Sequence, residues 1–376
     1  MASGNTPDVG RPVTAPDFLL SRPTGSLRSQ GVVQSFTDPA DAALALRSGA
    51  CGLVVGAIGF EPDAPAALTE PELVVRTDGP LEPPAYFRGI RTRARVVEEI
   101  PSPAEHRARV STALTAINAG GVGKAVLARA VRLESDEPID PHAVCATLID
   151  SSSHADGFLV DLSPAGDHCV GRVLVGSSPE LLVRRRGDVV ECHPLAGSAP
   201  RDADPAVDQA SARALRDSGK DAFEHSFVVN SIAEALGPLC VDLEIPARPS
   251  LTSTREMWHL GTRIRGRIAD RRTTALDLAL AVHPTPAVCG TPTDEARRLI
   301  AGIEGPRGFY AGTVGWADAS GDGDWMVSIR CAEIDAGRTG AIAWAGGGIV
   351  ADSDPDDEVA ETAAKLRTVL KAFNVS

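Results

Sequence analysis

The chain has 376 residues, of which 43% are hydrophobic, and a formal net charge of −13 at pH 7. This length can bury a large core in one large domain or two medium ones. The acidic residues are spread along the chain, which argues against nucleic acid or an anionic membrane as a partner. No apolar run reaches the roughly 20 residues of a transmembrane helix. A small anionic substrate would therefore have to be held by local cations.

The seven cysteines indicate reduced thiols in a cytoplasmic protein, because their number is odd, no CxxC motif occurs and no signal peptide is recognised. Cys192 and His193 are adjacent, and a Cys–His nucleophile pair is one interpretation of them. Neighbouring strand residues point to opposite faces, which disfavours that pair.

The predicted elements begin with a leader. Residues 1–30 are rich in Gly, Pro, Ser and Thr and lack periodicity, which indicates a mostly extended or disordered segment with one short strand at residues 18–20. A single domain over residues 31–376 follows. It is predicted to start with a helix at residues 38–48 and a buried apolar strand at residues 52–60.

A capped helix and a strand follow residues 61–101, which are Pro-rich and acidic and are predicted to be surface connections. Residues 102–120 have helical periodicity, with Ser102 and Glu105 at capping-box spacing. The sequence then alternates as a strand, and Lys124 stands at its start. The glycines before Lys124 do not form a phosphate loop, since GxxxxGK[ST] is absent and no helix follows. Alone, Lys124 would be a solvated lysine.

The stretch GSSPELLVRRRGDVVECHPLAGSAPR, residues 176–201, is predicted to be central. Its strands at 181–184 and 189–192 are joined by a Gly-Asp turn and form a hairpin. A hairpin returns its end close to its start. Glu180 should therefore lie near the backbone of residues 196–198, although a lone glutamate at such a place is ordinarily solvated.

Two acidic helix faces are predicted in the second half of the chain. Residues 202–237 are helical in period, and Asp221 and Glu224 share a face at spacing i, i+3. The last helix, residues 355–373, opens with acidic residues and repeats this i, i+3 spacing, with a lysine one turn further on. An ordinary acidic solvent face and an intrahelical Glu–Lys pair explain these patterns equally well.

Several segments between these helices are predicted to be strands and loops. A strand over residues 262–268 follows His259, and a rigid loop with two prolines opens at residues 283–286. One strand, residues 325–332, should carry Arg330. A strand at residues 341–344 should end in a glycine loop whose backbone N–H groups could approach an anion.

The pair GSSPELL and ECHPLAGSAPR resembles the signature of the chorismate-utilising enzymes, in particular the isochorismate synthases of siderophore pathways. The segments GAIGF, KAVLAR, HPTPAV and AGGGI are similar to further motifs of that family, in the same order, so the resemblance covers roughly residues 30–376. It implies an α+β fold in which two large antiparallel β-sheets pack face to face with helices outside. The active site would lie between the sheets and the helices.

The resemblance also implies roles for individual residues. Lys124 would be the general base and Glu180 the general acid. Mg²⁺ would be bound by Glu224 and Glu361, with two more carboxylates beside them, Asp221 and Glu358. The residues implied to line the chorismate site are Ala196, Gly197, Ser198, His259, Ala287, Tyr310, Arg330, Gly346, Gly347, Gly348 and Lys365.

The implied reaction is the Mg²⁺-dependent isomerisation of chorismate to isochorismate, by attack of water at ring carbon 2 and loss of the carbon 4 hydroxyl. The base must be neutral and the acid protonated when they act, and burial favours both states. Oxygen ligands suit Mg²⁺, and the sequence contains no zinc spacing of His and Cys.

Other activities of this family are less compatible with the sequence. Aminodeoxychorismate synthases carry a lysine nucleophile where this chain has Ala196, so water is the expected nucleophile here. No room remains for a glutaminase domain, and a monomer is expected. Salicylate synthases tend to have Thr at the position of Ala287 and are the alternative, along with a non-catalytic scaffold protein. The pathway could lead to a catecholate siderophore, salicylate or menaquinone.

Overall fold

The computed structural model describes residues 15–375, which form 22 β-strands and nine α-helices. The strands are β1 Phe18–Arg22, β2 Gly25–Gln30, β3 Gln34–Phe36, β4 Leu53–Ile58, β5 Ala67–Glu70, β6 Leu73–Thr77, β7 Arg95–Ile100, β8 Lys124–Glu134, β9 Gly157–Asp161, β10 Val173–Gly176, β11 Leu181–Arg186, β12 Val189–His193, β13 Leu195–Pro200, β14 Cys240–Glu244, β15 Ser250–Ser253, β16 Met257–Gly261, β17 Ile264–Ile268, β18 Gly290–Thr291, β19 Thr313–Asp318, β20 Gly323–Val327, β21 Cys331–Ile334 and β22 Gly340–Ile349.

The helices are α1 Pro39–Ser48, α2 Ala85–Gly89, α3 Pro103–Asn118, α4 Pro141–Ser151, α5 Pro205–Asp217, α6 Gly219–Leu236, α7 Ala275–Val282, α8 Thr293–Ile303 and α9 Pro355–Ala372. None of these helices, within the part of the chain that the structure describes, is long and apolar enough to cross a bilayer.

The strands are arranged in three antiparallel sheets. A ten-stranded sheet has the order β18-β8-β22-β21-β10-β9-β1-β2-β6, with β7 also paired to β8. A nine-stranded sheet has the order β14-β17-β12-β11-β20-β19-β4-β5-β3, and a small sheet has the order β13-β16-β15. The predicted α+β class with two large antiparallel sheets is confirmed.

Alternating side chains explain why the two large sheets pack together. Phe18 and Leu20 belong to the same buried cluster as Trp325 of the nine-stranded sheet, so this core lies between the two sheets. Leu19 points to the opposite face, where a second cluster includes Val369 of α9. The ten-stranded sheet is therefore covered on one face by a sheet and on the other by helices, as a period of two requires.

Two predictions for the N-terminal hundred residues were wrong. Residues 18–30, assigned to an extended or disordered leader, form β1 and β2 inside the ten-stranded sheet, and the strand at residues 18–20 is the start of β1. Residues 1–14 of that leader lie outside the described residues. The region 61–101, predicted to be connections, contains β5, β6, α2 and β7. Every residue of β6 is exposed, so a burial pattern could not reveal it.

The predicted helix over residues 202–237 is two helices, α5 and α6. The break falls at Ser218, whose side chain accepts a hydrogen bond from the backbone N–H of Asp221 and caps α6. The other long helices begin and end close to the predicted positions. The capping box of Ser102 and Glu105 is present at the start of α3.

The segment 325–332, predicted to be one strand, belongs to both large sheets. It leaves the nine-stranded sheet at the end of β20 and enters the ten-stranded sheet at β21. Arg330 lies at the crossover with φ at +52°, in the left-handed region that non-glycine residues rarely occupy. An alternating pattern alone cannot show a change of sheet, because both halves keep the same period.

The predicted glycine loop is also a strand. Gly346, Gly347 and Gly348 are part of β22 and pair with residues 126–128 of β8. These glycines therefore do not form a turn. They leave the space above this part of β22 free of side chains.

Candidate active site

A buried lysine–carboxylate pair lies at the start of β8. The Lys124 side chain is inaccessible to solvent, and its Nζ lies 3.0 Å from Oε1 of Glu224 on α6. Nζ of Lys124 makes no well-aligned hydrogen bond to a described residue. Glu224 is therefore its one close carboxylate contact among the described residues. The alternative of a solvated lysine is excluded.

Glu180 is a second buried ionisable group, in the connection between β10 and β11. It is 3% exposed, and burial raises the pKa of its carboxyl to about 8. The backbone N–H of Leu195 and the charges of Lys124 and Lys365 oppose this rise. Glu180 is consequently protonated at neutral pH. Its closeness to the start of β13 confirms the proximity expected from the hairpin.

Two neighbouring carboxyl groups of α9, those of Glu361 and Glu358, differ in the direction of their pKa shifts. The Glu361 carboxylate is ion-paired with Lys365 and accepts a hydrogen bond from Oγ of Ser198 at 3.0 Å. Burial opposes ionisation of Glu361, but these contacts outweigh it and lower the pKa of Glu361. Burial and the Glu361 charge raise the pKa of Glu358. Of the two carboxyls, Glu361 is therefore the one that ionises more readily.

Four carboxylates around this point have the donor chemistry of a magnesium site. Oε2 of Glu358 is buried without a hydrogen-bond partner among the described residues. Burial and neighbouring carboxylates raise the pKa of Asp221 as well. A divalent cation would relieve both conditions, and carboxylate oxygens are its preferred ligands. The residues present therefore fit Mg²⁺, although within residues 15–375 no three of them converge as a preformed metal cluster.

The glycines of β22 make room for these groups. A Cβ on Gly348 would lie 2.1 Å from Oε1 of Glu224, and one on Gly347 would lie 2.6 Å from Oε2 of Glu358. A Cβ on Gly346 would lie 2.8 Å from the Tyr310 hydroxyl. Any side chain at these positions would displace a functional group.

The opposite end of the site is cationic and aromatic. Arg330 is buried, and its Nη1 donates a hydrogen bond to Oγ1 of Thr368 at 3.2 Å. The Tyr310 ring stacks on Trp344 with centroids 5.8 Å apart. His259 is buried, and burial followed by the charges of Arg330 and Lys365 lowers its pKa well below the usual value. A neutral imidazole and a guanidinium thus face the same space.

One cavity brings most of the predicted site residues together. The predicted residues that line it are Glu180, Ala196, Gly197, Ser198, Glu224, His259, Ala287, Tyr310, Arg330, Gly346, Gly348, Glu361 and Lys365. The other four lie directly behind this lining. Lys124 contacts Glu224, Gly347 faces Glu358, and Asp221 lies within 3 Å of where a Cβ on Gly197 would be.

Sequence reasoning missed several contributors. Pro179, Val288 and Ile329 line the cavity, and Lys220 places its Nζ 3.5 Å from Oε1 of Glu358. Thr368 was also missed, although its position seven residues after Glu361 puts it on the same helix face. Each of the other four adjoins a predicted site residue in the sequence, but no pattern marks it as a contributor.

A larger cavity of about 860 Å³ adjoins the first and shares Pro179, Leu195 and His259 with it. Its lining includes Arg22, whose guanidinium is paired with Asp156 at 2.9 Å. It contains none of the four clustered carboxylates. The smaller cavity is therefore the candidate active site.

Comparison with known proteins agrees with this geometry. Residues 87–374 match the model of the family described as chorismate binding enzyme. The chain is 49% identical to a Mycobacterium tuberculosis (strain H37Rv) protein provisionally named isochorismate synthase MenF, with 96% of each chain covered. It is 45% identical to isochorismate synthase DhbC of Bacillus subtilis (strain 168), over 86% of this chain and 81% of that protein.

Among solved structures, the chain is similar to a Bacillus anthracis protein provisionally named as the 2,3-dihydroxybenzoate-specific isochorismate synthase DhbC. The TM-score is 0.88 at 35% identity, with 96% of both chains covered. The menaquinone-specific MenF of Escherichia coli has the same fold, with a TM-score of 0.81 at 24% identity over 96% of this chain and 89% of that chain. The chain belongs to the chorismate-binding enzymes.

Proposed function

We propose that this protein is an isochorismate synthase, an isomerase that converts chorismate to isochorismate with Mg²⁺ as cofactor. The observation that carries the proposal is that a candidate base, Lys124, and a candidate acid, Glu180, are both buried at one site. Lys124 and Glu180 are both buried, and Glu180 holds a proton at neutral pH. A buried acid and a buried base at the same site can act in one reaction.

The reaction conserves the atoms of chorismate and water. Lys124 takes a proton from the water whose oxygen bonds to ring carbon 2. The ring double bonds shift, and the carbon 4 hydroxyl leaves as water with the proton that Glu180 donates. One water enters and one leaves, so the product is an isomer of the substrate. Return of the proton from Lys124 to Glu180, directly or through solvent, restores both groups.

The remaining residues would hold the substrate and the cofactor. Glu224 and Glu361 would ligate Mg²⁺, with Asp221 and Glu358 beside them. When bound, Mg²⁺ would orient a substrate carboxylate and stabilise its charge. The residues that would contact the rest of chorismate are Ala196, Gly197, Ser198, His259, Ala287, Tyr310, Arg330, Gly346, Gly347, Gly348 and Lys365.

The choice of water as nucleophile is supported by Ala196, because a side chain ending in a methyl group cannot attack the ring. We further propose that the enzyme acts as a monomer without a glutaminase subunit. The seven free cysteines, six of them buried, support a reducing, cytoplasmic compartment.

The test is incubation of the purified protein with chorismate and Mg²⁺, with the products separated by chromatography. Isochorismate in equilibrium with chorismate, abolished by EDTA and by Lys124→Ala, is the expected result. Accumulation of salicylate and pyruvate would favour the salicylate synthase alternative. Unchanged chorismate would overturn the catalytic proposal.

A further inference from the structure

Arg330 has an unusual setting for a side chain that faces an active site. Its backbone lies at the crossover between the two large sheets, and its carbonyl accepts a hydrogen bond from the backbone N–H of Ser177 at 3.0 Å. Its guanidinium is buried, and burial lowers its pKa. Such a group needs nearby compensation, since an unpartnered buried cation is costly.

The buried charge of Arg330 is linked to a carboxylate through the hydroxyl of Thr368. Nη1 of Arg330 donates to Oγ1 of Thr368 at 3.2 Å, and the same hydroxyl donates to Oε2 of Glu256 at 3.3 Å. Nζ of Lys371 donates to the other oxygen of Glu256 at 3.1 Å. The Glu256 carboxylate is the leading charge that favours the ionised form of Arg330. Thr368 is the one side-chain acceptor that the described residues offer to this guanidinium.

We propose that Thr368 and Glu256 are positioning residues that aim Arg330 at the carboxylate of the substrate. A hydroxyl can accept and donate at once, so Thr368 accepts from Arg330 while it donates to Glu256. This link uses fewer N–H groups of the guanidinium than a direct two-pronged salt bridge would. The other N–H groups of the guanidinium make no hydrogen bond within residues 15–375 and can bind a planar carboxylate, which an arginine holds in a fork. This inference rests on the proposed function, because it assigns the carboxylate to a bound chorismate.

The geometry of α9 supports this arrangement. Glu361, Lys365 and Thr368 are separated by four and three residues, so they lie on one helix face beside the cavity. One helix thus carries a proposed metal ligand, a lysine that binds the Gly346 carbonyl, and the hydroxyl that orients Arg330. A shift of α9 would move all three together.

The test compares Thr368→Val, which removes the hydroxyl at nearly constant shape, with Thr368→Ser, which keeps it. We expect Thr368→Val to raise KM for chorismate about tenfold, as loss of one charge-assisted hydrogen bond implies. Thr368→Ser should remain within about twofold of the wild-type protein. Thr147→Val is the matched control, because the Thr147 hydroxyl bonds only its own helix, at the Ala143 carbonyl.

A double-mutant cycle separates positioning from folding. Glu256→Gln alone should raise KM, and adding it to Thr368→Val should have little further effect, because both changes break one chain of contacts. Additive effects, or equal KM values for Thr368→Val and Thr368→Ser in an active protein, would overturn the inference. A wild-type protein that leaves chorismate unchanged would instead overturn the proposed function, and the inference with it.

Discussion

Nζ of Lys124 lies 3.0 Å from Oε1 of Glu224, and the Lys124 side chain is inaccessible to solvent. One of these residues is the proposed base and the other a proposed metal ligand. The side chain that faces Glu224 in the protein alone is therefore the same group that must be neutral when it takes a proton in the proposed reaction. Base and metal site are parts of one electrostatic unit.

Replacement of Lys124 should consequently abolish turnover without unfolding the protein. Lys124→Met keeps the length of the side chain and removes the amine, and we expect kcat to fall by about 10² to 10⁴. Steady-state isochorismate formation measures the fall, and circular dichroism checks the fold. A folded Lys124→Met protein that keeps a tenth of the activity would contradict the assignment of the base.

Glu180 should make both activity and stability depend on pH. Its carboxyl has a pKa near 8 when folded and about 4.3 when unfolded. Between these values the folded state binds a proton that the unfolded state lacks, so the free energy of unfolding should fall as pH rises from about 4 to 8. The rate should also fall as pH rises through about 8, because the acid loses its proton.

Glu180→Gln removes this titration. Urea unfolding at pH 5, 6, 7 and 8 should show that the variant gains stability relative to the wild-type protein as pH increases, while its turnover is lost. Parallel stability profiles for the two proteins would mean that Glu180 does not hold a proton in the fold.

Gly348→Ala should inactivate the enzyme through a steric effect. The new Cβ would lie 2.1 Å from Oε1 of Glu224 and 3.0 Å from Cε of Lys124, so the pair must move apart. We expect activity to fall at least about 100-fold, since small misplacements of catalytic groups cost about this much. Gly302→Ala is the matched control, because nothing lies within 4 Å of its Cβ.

The control should behave in the opposite way. Gly302 is the penultimate residue of α8, where alanine is favoured over glycine by less than the roughly 1 kcal/mol of a helix interior. Gly302→Ala should therefore keep full activity and slightly raise the melting temperature. Equal activity of the two variants would show that the space above β22 is not needed.

Mg²⁺ should stabilise the folded protein through the carboxylates of α6 and α9. Binding to the native state alone raises the melting temperature with ligand concentration. We expect a rise with millimolar Mg²⁺ that EDTA reverses and that Glu224→Gln and Glu361→Gln each reduce strongly. Glu295→Gln, on the exposed start of α8, should leave the rise unchanged. An undiminished rise in both site variants would place the ion elsewhere.

The sequence predicts those parts of the fold that have a clear local signal. The capping box at Ser102 defines the start of α3, and the turn at Gly187 defines the hairpin of β11 and β12. It fails at β6, where neither face is buried, and at Arg330, where one alternating run enters two sheets. Burial and sheet membership are tertiary properties that a local pattern does not encode.

The residues proposed for the candidate site rest on a different kind of signal from those that predict the fold. Helix spacing placed Glu358 and Glu361 on one face, but only the family resemblance joined them to Lys124, more than two hundred residues away. Tertiary contacts between residues that are distant in the sequence were not predicted. Hydrogen bonds through Thr368 link Glu256 to Arg330, and nothing in the sequence near either residue marks that connection.

The crossover at Arg330 links the integrity of the two large sheets. The chain leaves the nine-stranded sheet at the end of β20, three residues before Arg330. It enters the ten-stranded sheet at β21, directly after Arg330. The side chain can be aimed at the cavity only while both sheets are intact and packed. Separation of the sheets would therefore remove the proposed carboxylate contact even if each sheet kept its own hydrogen bonds, so substrate binding should report their packing.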